Sequence, residues 1–428
     1  MPAITAARAT ARTCIAVLAL ALALPGAAEA GWRMLLTSQS HGPQRMVGVD
    51  KSDQTFYLFE RKSPLRVIKQ LPCTTGQALG DKLVVGDKRT PEGVYFVGGR
   101  VNRGLDWDLY GNVAYTLNYP NPVDRLKGKT GSGIWVHGRG KDLVPRDTLG
   151  CVALKVDDIK AVEPMLEPGT PVIIAEELSW SVEPGEDETA AFLAEQVRSW
   201  AGDWANKSDG FFDYYDPELF ARSEGAAFAA FKDHKKGIFS RQPWIEVMAD
   251  AIRVAPGPDY WVTWFDQYYR TESLTSAVGK RFYWMRSEDG RWRIVGREYT
   301  DPTPGLQERY LKLKSAEVEH MLGAWLAAWR EADLDAYMGF YADGAVQDDR
   351  RGREDIADYK GRLWADKEPT QIDIASLDVD IAPQGLSASF TQQYHDASGY
   401  SDTGVKTLIL APGESGWIIL SEQWRRLE

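Results

Sequence analysis

Cysteine is nearly missing from this chain of 428 residues: there are three, and only Cys73 and Cys151 lie beyond the first thirty positions. Two thiols form at most one bridge, which excludes a disulfide-stapled scaffold and leaves stability to packed cores. The five histidines are scattered, and none stands with cysteines or carboxylates at the spacing of metal ligands. Asp157-Asp158 and Asp348-Asp349 read as helix-start and loop charges. No glycine-rich loop follows a strand and opens a helix as a nucleotide site requires. Neither a metal nor an organic cofactor is implied. An excess of basic residues is lacking too: the net charge of −11 argues against nucleic acid and anionic lipid as partners. Beyond residue 30 no apolar run is long enough to span a bilayer.

The one marked apolar run, Cys14 to Leu24, comes after Arg8 and Arg12 and precedes Ala28-Glu29-Ala30. That is the form of a secretory signal peptide, residues 1–30, cut after Ala30. The mature product is expected to be soluble and exported to the periplasm, with no stable membrane insertion.

Aromatic residues are plentiful, with sixteen Trp, eighteen Tyr and fourteen Phe. Residues 31–180 form a first block in which "RMVGVD", "QTFYLFER" and "LRVIKQLP" read as short strands separated by turns. The strand "PVIIA" closes this block, which is expected to fold apart from the C-terminal remainder of the chain. "SVEPGEDETA" (181–190) and "YTDPTPGLQ" (299–307) read as linkers. Residues 191–300 and 314–428 form an internal repeat at an offset of 125. Trp200 and Trp204 recur as Trp325 and Trp329, and Ile238-Phe239 as Leu363-Trp364. Phe265, Gln267, Tyr269, Gly279 and Trp292 recur as Phe390, Gln392, Tyr394, Gly404 and Trp417. Each copy opens on an amphipathic helix and ends in long alternating strands. Helices first and a strand meander last resembles the nuclear transport factor 2-like cone fold. The resemblance implies a helix-backed curved sheet with room for a pocket, and no chemistry; the two copies are expected to be binding or positioning modules for a wall or protein ligand.

The chemistry lies in "IWVHGRGKDLVPRDTLGCVAL" (134–154). Only a thiolate attacks efficiently, so a nucleophilic Cys151 needs a base, and His137 is the right type. Ile134 to Val136 reads as a strand holding His137, after which Gly138 lets the chain turn. Gly150 offers a substrate backbone close approach, and N–H groups around Gly150 and Cys151 suit an oxyanion. Taken alone, the pair also reads as a buried thiol and a turn histidine.

The residues around it decide. His-Gly, then "TLGCVAL", preceded by "TTG" and "RTPEGVY" and followed by "DDIKAVEPMLEPGTPVII", resembles the L,D-transpeptidase catalytic-domain family over residues 45 to 176. The resemblance implies a mainly β catalytic sandwich followed by two α+β cone-like repeats. It also implies Cys151 as nucleophile, His137 as proton acceptor and donor, and peptidoglycan peptide stems as substrate. Thr148, in the family's Ser/Thr position, is expected to orient the loop or to be a plain turn residue.

Two departures bear on outcome: Leu149 stands where many members have a second His, and Ala153 where many have an Arg. Arg139, Lys141 and Arg146, on an expected mobile loop, are candidate replacements for that charge. The pattern looks most like the branch of cell-shape L,D-carboxypeptidases, in which water resolves the acyl-enzyme. Cys73 and Cys151 are expected as free thiols. The competing reading is a non-catalytic envelope-binding protein with a decayed catalytic domain.

Overall fold

A computed structural model describes residues 31–427 apart from 103, 186 and 415; the signal-peptide segment lies outside the described residues. The first block contains β1 (Arg33–Ser38), β2 (Arg45–Asp50), β3 (Thr55–Glu60), β4 (Arg66–Thr74) and β5 (Gly93–Val101). Helix α1 (Trp107–Tyr110), β6 (Ala114–Leu117), α2 (Pro122–Leu126), β7 (Trp135–Arg139) and β8 (Val152–Lys155) come next. It ends with α3 (Val156–Val162), β9 (Pro171–Ala175) and β10 (Glu177–Pro184).

The expected sandwich is closed at its edges. One face runs β5-β9-β2-β3-β4 and the other β4-β8-β7-β6-β5, so shared β4 and β5 join both faces into an eight-stranded barrel. Val47, Val49, Phe56, Leu58, Val136, Val152, Leu154, Val172 and Ile174 fill its interior. Alternate residues, among them Met46, Phe59, Val94, Phe96 and Ile173, point outward and are buried as well. Apolar residues on both faces of a strand require cover on both sides.

That cover corrects two expectations. Residues 181–184 are not linker but the end of β10, which lies parallel to β1 and shields Met46 and Phe59. The block is also not separate from the first repeat. Val94, Phe96, Val123 and Ile173 share one core with Ala255, Tyr260, Val262, Tyr283 and Val295. Polar contacts stitch its rim: Tyr260 Oη accepts from Val94 N at 2.8 Å, and Asn118 Nδ2 donates to Glu298 Oε2 at 2.9 Å.

The first repeat consists of α4 (Glu188–Ala205), α5 (Pro217–Glu224), α6 (Phe228–Arg241), β11 (Glu246–Pro256), β12 (Trp261–Arg270), β13 (Thr275–Arg286) and β14 (Trp292–Thr300). The strands form a meander in sequence order. One sheet face holds Phe265 and Phe282 against Trp200, Trp204 and Phe211; the other faces the barrel. In the second repeat α7 (Leu306–Arg330), α8 (Leu334–Met338), β15 (Tyr341–Gln347), β16 (Arg350–Arg351) and α9 (Arg353–Asp366) precede β17 (Pro369–Ala382), β18 (Gly385–Asp396), β19 (Ser401–Gly413) and β20 (Gly416–Arg426). They make a six-stranded sheet around Trp325, Trp329, Tyr337 and Phe390. Buried Arg270 joins the copies by donating to the carbonyls of Ala382 (3.1 Å) and Gly385 (3.0 Å).

Candidate active site

Parallel β7 and β8 pair Val136 with Val152 and His137 with Ala153. The two valines point into the barrel, so by the twofold alternation of strands His137 and Cys151 both belong to its outer face. Here β8 begins just after Cys151, which places the sulfur at a strand mouth. Sγ lies 3.5 Å from the carbonyl oxygen of Gly133, and the Trp135 N–H also points at it.

Burial pushes the thiol up to about 11, although the Trp135 N–H and the Lys82 ammonium work in the opposite direction. His137 is buried, and Nδ1 donates to the Gly138 carbonyl at 2.6 Å, which leaves Nε2 as the acceptor nitrogen. Burial, followed by the field of Arg139, holds the imidazole down at about 4, while the Gly138 bond opposes this. At neutral pH the resting pair is therefore thiol and neutral imidazole, not thiolate and imidazolium.

The loop before the cysteine is built by two residues. Thr148 Oγ1 donates to the Cys151 carbonyl at 2.7 Å and accepts from Gly150 N at 3.1 Å, bonds that span the turn before the sulfur. The Gly150 N–H is thereby engaged and is not a free oxyanion donor, contrary to expectation. Glycine is needed there for its backbone: φ is +131°, and a Cβ would stand 2.8 Å from the Arg89 carbonyl oxygen. Gly150→Ala is expected to cost about 1–3 kcal/mol and to lower activity by displacing the sulfur, measured by thermal melting beside the acylation rate. Gly138 is confined similarly, since a Cβ would meet the Tyr110 carbonyl oxygen at 3.1 Å.

Arg139 does not lie on a mobile loop. It ends β7, is buried, and is committed to Asp147 through an ion pair and a 3.1 Å bond to that residue's carbonyl. The loop itself is pinned: Thr74 Oγ1 donates to Val144 O at 2.7 Å, and Arg146 N donates to Gln54 Oε1 at 2.9 Å. The Arg146 guanidinium faces Glu176 at 3.9 Å. Ala153 is wholly buried between Thr74 and His137. Cys73 lies in the barrel interior beside Leu154, away from the outer face that carries Cys151, and both thiols are free.

Two neighbours were not singled out from the sequence. The Tyr110 ring packs edge-on against His137 with centroids 5.0 Å apart and against Trp135 at 5.4 Å, and after burial Cys151 is the next cause raising its hydroxyl's pKa. A tyrosine closing a four-residue helix carries no sequence signal for this role. Lys82, buried and paired with Asp87 at 2.8 Å, is a cation facing the thiol. Away from this site, the second repeat opens into a cavity of about 400 Å³ lined by Trp329, Lys360, Gln392, Tyr394, Lys406 and Glu422. Among the described residues no helix is long and apolar enough to cross a membrane.

Residues 44–174 match the YkuD L,D-transpeptidase catalytic domain. Residues 192–298 and 317–423 each match the Cds6 C-terminal NTF2-like domain. Among solved structures, Bd1075 of Bdellovibrio bacteriovorus is 26% identical with a TM-score of 0.50, covering 63% of this chain and 97% of its own. The helical cell shape determining protein Pgp2 of Campylobacter jejuni is 26% identical with a TM-score of 0.51, covering 61% and 95%. Each alignment therefore leaves more than a third of this chain uncovered. No curated protein sequence matches the chain.

Proposed function

We propose that this chain, which belongs to the L,D-transpeptidase catalytic-domain family and carries two Cds6-type NTF2-like domains, is an exported, periplasmic cysteine enzyme that cuts peptidoglycan peptide stems. The observation that carries this is His137 on the strand beside Cys151, with Nδ1 tied to Gly138 and Nε2 left to accept a proton.

In this reading the Cys151 sulfur attacks the carbonyl at the L-centre of diaminopimelate while its proton passes to His137 Nε2. Collapse of the tetrahedral adduct breaks the C–N bond, and His137 returns the proton to the departing D-amino acid amine. A thioester remains. A neutral resting pair suits this order, because charge separates only as the bond forms. Thr148 and Gly150 hold the loop, and Tyr110 backs the imidazole.

Hydrolysis is the expected fate of the thioester. Ala153 supplies no cation, and Arg139 is spent on Asp147, so neither holds an acceptor stem's carboxylate. A loosely held amine forfeits much of the proximity advantage, and water competes well. The likeness to Pgp2 supports a role in cell shape, with the cavity of the second repeat as the place that binds wall or protein.

Tetrapeptide-rich muropeptides incubated with the mature protein are expected to yield free D-alanine and tripeptides. A dominant cross-linked dimer would reverse the assignment of outcome. Intact-mass measurement with a carbapenem, an activated amide, should add one covalent adduct at Cys151. An unmodified protein with unchanged muropeptides would favour the envelope-binding alternative.

A further inference from the structure

The two cones differ at one charged position near their centres. The strand registers equate Lys280 with Lys406: one pairs with Phe265 and Tyr299, the other with Phe390 and Trp424. Lys235 on α6 and Lys360 on α9 also correspond, at the offset of the duplication. In each copy both ammonium groups lie over the second tryptophan of the pair. Lys235 Nζ is 3.5 Å and Lys280 Nζ 5.2 Å from the Trp204 ring centre; Lys360 and Lys406 are 4.5 and 4.2 Å from that of Trp329.

The second copy carries a counter-charge of its own. Glu422 is buried, ion-paired to Lys406, and accepts from Tyr341 and, at 2.8 Å, from Gln347 Nε2. Burial alone would raise its carboxyl, but Lys406 and Lys360 hold it down at about 2. The corresponding residue of the first copy, two along the neighbouring strand from the lysine's partner, is Arg297, which pairs with Phe282 as Glu422 pairs with Leu408.

Charge is reversed there, and Arg297 turns to Glu224 at 2.8 Å. Lys280, 4% exposed, keeps only Gln267 Oε1 at 2.5 Å. Neither Lys235 nor Lys280 has a carboxylate partner among the described residues. Burial and then Arg297 push Lys235 down to about 7; burial, Lys235 and Arg297 push Lys280 well below the usual lysine range. The Trp204 indole N–H is buried with no acceptor among the described residues. A buried ammonium without a counter-charge is costly, and an anion from outside relieves both lysines at once.

We propose that the cone of the first repeat is an anion site, in which the carboxylate of a small ligand or peptide enters between Lys235 and Lys280 and stands where Glu422 stands in the second. Tyr299, the strand partner of Lys280, is half-exposed and Lys235 part-exposed, so the lysine pair has a side open to solvent. The site uses nothing of the Cys151 chemistry and goes beyond it.

The test uses the mature full chain carrying Cys151→Ser, so that no turnover intrudes. It is titrated calorimetrically at constant ionic strength with sodium acetate, then with an N-acetylated tetrapeptide ending in D-alanine and with its C-terminal amide. Saturable one-to-one binding is expected, weakened at least tenfold by Lys280→Met and by Arg297→Glu, which builds in the missing carboxylate. Lys280→Met should melt no lower than the parent, since it removes a buried amine that has no counter-charge, whereas Arg297→Glu gives up the pair with Glu224 and is read through binding alone. A peptide binding at least tenfold tighter than acetate and than its amide identifies a peptide terminus; equal affinities identify a free small anion. Absence of saturable binding by acetate and peptide, or binding that survives both substitutions, overturns the proposal. Because Cys151 is absent throughout, failure here leaves the acyl-transfer reading untouched.

Discussion

Exchange of His137 for alanine is expected to lower acyl-enzyme formation by about two to four orders of magnitude, the usual worth of a general base. The effect should appear in the rate of adduct formation and not in substrate capture, since the imidazole is needed only when the thiol proton moves. Its removal leaves a gap under the Tyr110 ring, so a fall of about 1–2 kcal/mol in stability is expected beside the kinetic loss. The pH profile separates this base from other ways of activating a thiol. With the imidazole held near 4 and the thiol near 11, acylation should be level from about pH 5 to 9 and fall as pH drops through 4. A resting thiolate–imidazolium pair would instead show thiolate absorbance at pH 7. Stability has the same sign. The folded imidazole titrates below its unfolded value near 6.5, so its contribution is fully present above 6.5 and is lost as pH falls toward 4. Near-wild-type rates in His137→Ala would remove the histidine from the mechanism.

Truncation after Asp187 is expected to yield an insoluble or molten barrel. Removing the repeats uncovers Val94, Phe96, Val123 and Ile173, which pack on Tyr260, Val262, Tyr283 and Val295. At about 1.5–3 kcal/mol for each fully buried side chain, even partial exposure of these four costs roughly 5 kcal/mol. A whole domain commonly has only about 5–15 kcal/mol in hand. Tyr260 would also leave the Val94 N–H and the Asn121 amide. The comparison is soluble yield and thermal melting of the truncated and full chains. Cooperative melting of the short form within a few degrees of the parent would show that the barrel closes its own surface.

Much of this architecture was legible because it rests on local patterns. The strands of the barrel and the helix–meander order of the repeats stem from alternation, turns and the paired tryptophans. The His-Gly and Gly-Cys elements carried the site because both need glycine, one at a tight approach and one at positive φ. What stayed hidden depends on distant partners. Strand residues buried on both faces read simply as strands, so the shared core behind Phe96 had no signature of its own. Arg139 looked free because Asp147, eight residues on, reads as loop charge. The constant offset also misled at Gly279 and Gly404. Gly279 pairs with Asp266 while Gly404 pairs with Gln392, the counterpart of Gln267. The second copy is therefore one residue out of step on that strand, and such a slip exchanges inward for outward residues. Only the register identifies Lys280, not Arg281, as the counterpart of Lys406.

The connection between β10 and α4 is three residues long, and the barrel and the sheet of the first repeat share one core. A catalytic head on a flexible tether would search a volume, and its effective concentration at a second contact would fall smoothly with distance. Here the separation between Cys151 and the cones is a fixed length, not a distribution. Under the proposed function, wall material presenting its two contacts at that span would gain the avidity of both, and material at any other span only one. The molecule would then work as a gauge, selecting among stems by where they lie in the mesh as well as by what they are.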